Sequence, residues 1–198
     1  MASAGLLAIP TAATASLGGT KVTVFHAFTA SGRPTLPTKS LTGYCWTGSL
    51  TADRDDAWRC LVGNGLYDPC FSSAAAPAVV LCPNYKLTTD IEIHLTRPLP
   101  LKQADRGGPS VHIQPWLIEL EASTVPNVGP PRCEFSSGAT NVIDGKRLNY
   151  FCTGGAFSTM GLWGFPNREM SEWFILMTPT NAKSLSGGTD IAIRHAWT

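Results

Sequence analysis

Hydrophobic and polar positions alternate along this chain in short runs, and turn residues break the runs apart. Residues 21–28 (KVTVFHAF) alternate and put Val22, Val24, His26 and Phe28 on one strand face. Residues 90–95 (DIEIHL) alternate cleanly, and residues 78–82 are an apolar run of strand length. Residues 116–122 predict a strand with Trp116, Ile118 and Leu120 on one face. Between them lie Gly32, Pro34 and Pro37, and later Pro98, Pro100, Gly107, Gly108 and Pro109. No stretch of helix length carries a 3.6-residue period. The pattern predicts an all-β chain of many short strands.

The same grammar occurs twice in one order. Cys45 opens a segment that ends at Trp58-Arg59-Cys60, and Cys133 opens one that ends at Tyr150-Phe151-Cys152. Gly65-Leu66-Tyr67 and Gly161-Leu162-Trp163 follow, then Val79-Val80-Leu81 and Phe174-Ile175-Leu176. Residues 89–93 (TDIEI) match residues 189–193 (TDIAI). Two pseudo-repeats of about four strands each are expected, at 41–98 and 130–198. A linker at 99–111 and a strand at 112–122 stand between them. Residues 1–40 read as an uncharged arm, a strand and a linker ahead of the β domain at 41–198. One unit alone exposes an apolar face, and two facing units bury it, which gives a sandwich or a barrel.

Six cysteines stand at 45, 60, 70, 82, 133 and 152, with no Cys-x-x-Cys pair and no histidine close by, so a zinc site has no support. Six allow fifteen pairings. The repeat narrows them. Cys45/Cys60 and Cys133/Cys152 hold equivalent places, so each pair is expected to bridge the arms of its own hairpin. Asp144-Gly145 is a hairpin-turn signal between the second pair, and residues 53–56 occupy the matching turn of the first. Cys70 and Cys82 are left for each other. Three disulfides imply an oxidising compartment, and hence secretion or the cell surface. Residues 1–20 carry no charge, and Ala13-Thr14-Ala15 is similar to a signal-peptidase site, but a basic start and a long apolar centre are lacking.

Composition removes several classes. Fifteen Lys and Arg stand against 14 Asp and Glu, a formal charge of +1, without the basic footprint of a nucleic-acid binder. No apolar run reaches the ~18 residues of a membrane span. A hydrophobic share of 43% is enough for a real core.

Two runs carry a resemblance. One is Gly43-x-Cys45-Trp46-Thr47-x-Ser49 with Asp56-Ala57-Trp58-Arg59-Cys60, Gly63-Asn64 and Asp68-Pro69-Cys70-Phe71. The other is Cys133-x-Phe135 with Gly138-Ala139-Thr140, Asp144-Gly145, Asn149-Tyr150 and Cys152. Over residues 41–198 the chain resembles an uncharacterised, cysteine-paired domain of exported actinobacterial and Chloroflexi proteins. The resemblance implies an extracytoplasmic location and no particular activity.

Candidate chemistry is sparse. Histidines at 26, 94, 112 and 195 mostly lie on strand-like runs, and no Gly-x-Ser-x-Gly elbow or phosphate loop is present. Asp53, Asp55 and Asp56 lack the glycine and distal glutamate of a calcium loop and read as a solvated hairpin tip offset by Arg54 and Arg59. No catalytic residue, metal or cofactor is expected. Trp58 and Tyr150, beside the disulfides, read as core, while Trp46 and Trp163 are the candidate binding rings. The expected function is a non-catalytic extracytoplasmic module that binds a protein partner or a cell-surface polymer. The alternatives are a structural subunit that self-associates through residues 1–28, and a secreted hydrolase.

Overall fold

The computed structural model describes residues 18–52, 54–101, 114–121, 129–153 and 157–198. Among them every regular element is a β-strand. The first half holds β1 (Lys21–Thr23), β2 (Thr38–Gly48), β3 (Ala57–Val62), β4 (Gly65–Ser72), β5 (Val79–Pro83) and β6 (Asp90–Leu95). The second holds β7 (Leu117–Leu120), β8 (Arg132–Phe135), β9 (Val142–Ile143), β10 (Lys146–Thr153), β11 (Met160–Asn167), β12 (Trp173–Pro179) and β13 (Thr189–Trp197).

Two closed barrels result. In barrel one, β2 to β6 form an antiparallel meander, and β6 closes the ring by pairing parallel to β2, from Thr38 opposite Asp90 to Gly43 opposite Leu95. In barrel two, β8, β10, β11, β12 and β13 form a meander of the same order and direction. Its two ends do not meet. Strand β7 is wedged between them, antiparallel to both β13 and β8. Among the described residues, closure leaves only the short strands β1 and β9 with a single neighbour, and so few open edges to invite pairing with other chains.

The three disulfides are Cys45–Cys60, Cys70–Cys82 and Cys133–Cys152, as the repeat predicts. Cys45 lies directly opposite Cys60 on β2 and β3, and Cys133 directly opposite Cys152 on β8 and β10. Both bridges of barrel one sit in its interior with Trp58, Val80 and Ile93. The third lies inside barrel two with Ile118, Leu120, Tyr150, Leu162 and Ile175. The Asp144-Gly145 turn is present at the β9–β10 tip, with φ of 49° and 74°.

Pairing refines the repeat. Trp58 opposes Cys70 where Tyr150 opposes Leu162, and Phe71 opposes Leu81 where Trp163 opposes Leu176. Phe71 is therefore the counterpart of Trp163. Leu81 opposes Glu92 and Leu176 opposes Asp190, so Asp190 takes the place of Glu92, not of Asp90. The TDI runs do occupy the last strand of each meander, but out of register. An even slip keeps every side chain on its own face, which is why the sequence match survives it.

A separate core joins the barrels. Ala57, Phe71 and Leu81, on the outer face of barrel one, meet Trp116, Leu117 and Trp197 of barrel two, with Phe25 and Ala27 between them. Phe25, Phe71 and Trp116 form an aromatic trio with centroids 5.5 to 6.4 Å apart. This corrects the expected phase of residues 21–28. Val22 and Val24 are exposed, whereas Phe25 and Ala27 are buried. The reason is the seam: β1 pairs parallel with β13, and the chain must then turn its odd positions into the gap between the barrels. Residues 116–120 are likewise buried on both faces, one by the barrel interior and one by the seam.

One arginine from each barrel grips the backbone of the partner segment. Arg54 donates to Phe25 O (2.5 Å) and Thr198 O (3.3 Å) while Asp56 holds its other side. Arg132 donates to Lys86 O (2.7 Å) and pairs with Glu119 at 2.9 Å. Asp55 at this turn is exposed, as expected of a solvated tip, but Arg54 is more than a charge offset: it is a clasp, with its side chain only 18% exposed. Residues 1–17 and Asp53 lie outside the described residues. From Thr20 onward the N-terminal segment docks on the chain's own barrel two, through Thr20 N to Ser171 O and Phe25 N to Thr198 O.

Candidate functional site

The outer face of barrel two carries an open cleft of about 470 Å³ lined by Lys146, Trp163, Phe165, Asn167, Phe174, Leu176 and Asp190. A bulge in β11 makes it. The β11–β12 register breaks between Trp163 and Asn167. Gly164 adopts φ +73°, which glycine tolerates without strain, and Pro166 has no N–H to offer a ladder. The displaced backbone pushes Phe165 outward, where it is 53% exposed. Asn149, itself buried, donates from Nδ2 to Gly164 O at 2.7 Å and so holds the bulge in place. Arg147 in turn donates to Asn149 Oδ1 at 2.7 Å and to Ser136 O at 2.7 Å, and its burial lowers its pKa.

Trp163 is a correction. It is 1% exposed and forms the floor of the cleft, not a displayed ring. Leu148 and Leu185 cover it. Asp144 pins that cover, accepting from Leu185 N at 2.8 Å and Ser184 Oγ at 3.2 Å. A strand residue on the outer face of a barrel is buried here by a loop that the alternation of β11 does not encode.

Trp46, the other candidate, is 38% exposed on barrel one. The Arg59 guanidinium lies 5.6 Å from its ring centroid. Arg59 is held at 3.8 Å by Asp68, whose carboxylate accepts from Ser49 Oγ (2.5 Å), Leu50 N (3.1 Å) and Thr51 Oγ1 (3.1 Å). Burial raises the Asp68 pKa, and those bonds and Arg59 oppose the rise.

The histidines are dispersed. His94 pairs with Glu92 at 2.9 Å. His195 stacks on Trp197 at 3.9 Å and meets Thr23 Oγ1 at 2.8 Å; burial, then the Lys21 charge, lowers its pKa. His26 lines a second cleft, of about 430 Å³, beside the Arg54–Asp56 pair. His112 lies outside the described residues. Among the described residues no three His, Cys, Asp or Glu side chains gather as a metal site. No helix among them is long and apolar enough to cross a membrane.

The Phe165 cleft was not among the sites expected from sequence. Its signal was the run Gly164-Phe165-Pro166, an aromatic residue between the two residues that most readily break a strand. Comparison with known proteins finds no family model, no curated protein and no solved structure that matches the chain.

Proposed function

We propose that the chain is a non-catalytic, exported module that binds a cell-surface polysaccharide in the barrel-two cleft. One observation carries the reading: a bulge braced by Asn149 presents Phe165 at the rim of a cleft that also offers Lys146, Asn167 and Asp190. A pyranose has apolar C–H faces and a rim of hydroxyls. Phe165 and Phe174 match the faces, and the amide, ammonium and carboxylate match the hydroxyls, which both donate and accept. The cleft is within the size range of small-ligand sites, roughly 300–1,000 Å³. Three disulfides with no free cysteine fit a chain that folds in an oxidising compartment.

The test is calorimetric titration of the whole chain with a panel of soluble cell-surface polysaccharides, repeated with Phe165→Ala. The side chain is half exposed, so its removal leaves the core intact. At least one polysaccharide binds the native chain, and the variant loses about tenfold in affinity, the worth of one aromatic contact with its buried area. Equal binding by both proteins, or no binding across the panel, refutes the reading.

A further inference from the structure

Barrel one carries a different surface, with different chemistry. Tyr44 and Trp46 flank the inward-facing Cys45 on β2, and each is met by an arginine from a neighbouring segment. The Arg97 guanidinium lies 3.9 Å from the Tyr44 ring centroid, and that of Arg59 lies 5.6 Å from the Trp46 centroid. The β2–β3 hairpin brings Arg59 to Trp46, and barrel closure, which lays β6 beside β2, brings Arg97 to Tyr44. Thr96 is bonded to Gly43 O beyond the end of β6, and Thr47 opposes Arg59 on β3.

We propose that this face is a second binding site, and that it takes acidic polysaccharides through their carboxylate or sulfate groups. A guanidinium resting on an aromatic ring is held in place, while its five N–H donors keep the planar fork that matches a carboxylate or sulfate. Arg97 is exposed, and among the described residues no acceptor takes its N–H groups. Arg59 is largely buried and faces Asp68 at 3.8 Å, so it adds positive charge beneath the Trp46 ring and no free donor. Arg97 therefore keeps donors for an anion, and the exposed Trp46 ring, on the other side of Cys45, offers an apolar face to a sugar. A nucleic acid would need a longer basic track along its phosphates than two arginines on a chain of net charge +1. The site lies on the other barrel from the Phe165 cleft and is tested apart from it.

The experiment is affinity electrophoresis and calorimetry of the whole chain with polygalacturonate, dextran sulfate and unmodified dextran. The two anionic polymers distinguish a carboxylate preference from a sulfate preference. Arg97→Ala is compared with Arg33→Ala, which removes the same charge from an exposed turn elsewhere. The native chain is expected to bind at least one anionic polymer and not dextran, and less tightly as salt rises. Arg97→Ala weakens that binding by roughly tenfold, as loss of a charge-assisted hydrogen bond should. Arg97→Lys restores only part of it, and Arg33→Ala leaves it unchanged. Equal binding of dextran, equal losses in the two alanine variants, or displacement of the polymer by single-stranded DNA would overturn the assignment.

Discussion

Asp90 is wholly buried at the start of β6, and neither of its carboxylate oxygens has a hydrogen-bond partner. Its backbone N–H donates to Pro37 O at 2.8 Å, and Pro83 stands opposite it on β5. Both neighbours are prolines, with no N–H to give. Burial pushes the Asp90 pKa up to about 6. The unfolded carboxyl titrates near 3.9. Between these values the folded chain holds a proton that the unfolded chain has released, so folding grows less favourable as pH rises. The two values stand about two pH units apart, and at about 1.36 kcal/mol per unit the loss comes to about 3 kcal/mol, complete slightly above pH 6. Asp90→Asn keeps the shape and removes the titration. The variant should match the native chain near pH 4 and exceed it by about 3 kcal/mol at pH 7. Urea unfolding followed by tryptophan fluorescence from pH 4 to 8 measures both curves. Other carboxyls raised by burial, Asp68 and Glu134, are common to the two proteins and cancel in the difference. A stability difference that stays flat across that pH range refutes the reasoning, as does a variant less stable than the native chain at pH 7.

Two perturbations test the joints of the fold. Arg54→Ala removes the donor to Phe25 O and Thr198 O across the seam, and should cost about 2 kcal/mol in a urea titration. An unchanged midpoint would show that the clasp is idle. Replacing Cys133 and Cys152 together by serine frees a 19-residue separation and should cost about 3 kcal/mol. A loss below about 1 kcal/mol would mean that the bridge confines the unfolded chain little.

Local signals were legible in the sequence where the structure they encode is local. The cysteine spacing marks hairpin partners, and two of the disulfides join residues directly opposed on adjacent strands. Asp144-Gly145 marks a turn with positive φ at both residues, and the turn forms. Contacts between distant segments were not legible. The alternation of residues 21–28 is compatible with either face being buried, and only the gap between the barrels selects Phe25 and Ala27. Trp163 sits on an outward position of β11, and its burial comes from Leu185, delivered by a loop that Asp144 tethers. Trp116 to Leu120 alternate only weakly in burial because two cores claim the two faces of one strand. The bulge at Gly164 was visible as a composition signal, but its brace, Asn149, comes from the neighbouring strand.

The near-equivalence of the two barrels explains why they offer different surfaces. The outer face around Phe71 and Leu81 in barrel one corresponds, by strand pairing, to the face around Trp163 and Leu176 in barrel two. In barrel one that face is covered by the seam with Trp116 and Trp197. The contact is not reciprocal, because the matching face of barrel two is turned to its own Leu185 loop and to solvent. Two like units joined by unlike faces leave one copy of the docking face outside the joint. Here that copy differs from its counterpart through the Gly164 bulge and Phe165, and it is the face that holds the cleft. Barrel one has its seam at Ala57, Phe71 and Leu81 and carries its Tyr44–Arg97 and Trp46–Arg59 pairs along β2. Packing alone thus divides the two barrels: one face of each is covered or open according to its place in the pair, and the two proposed sites occupy the faces left over.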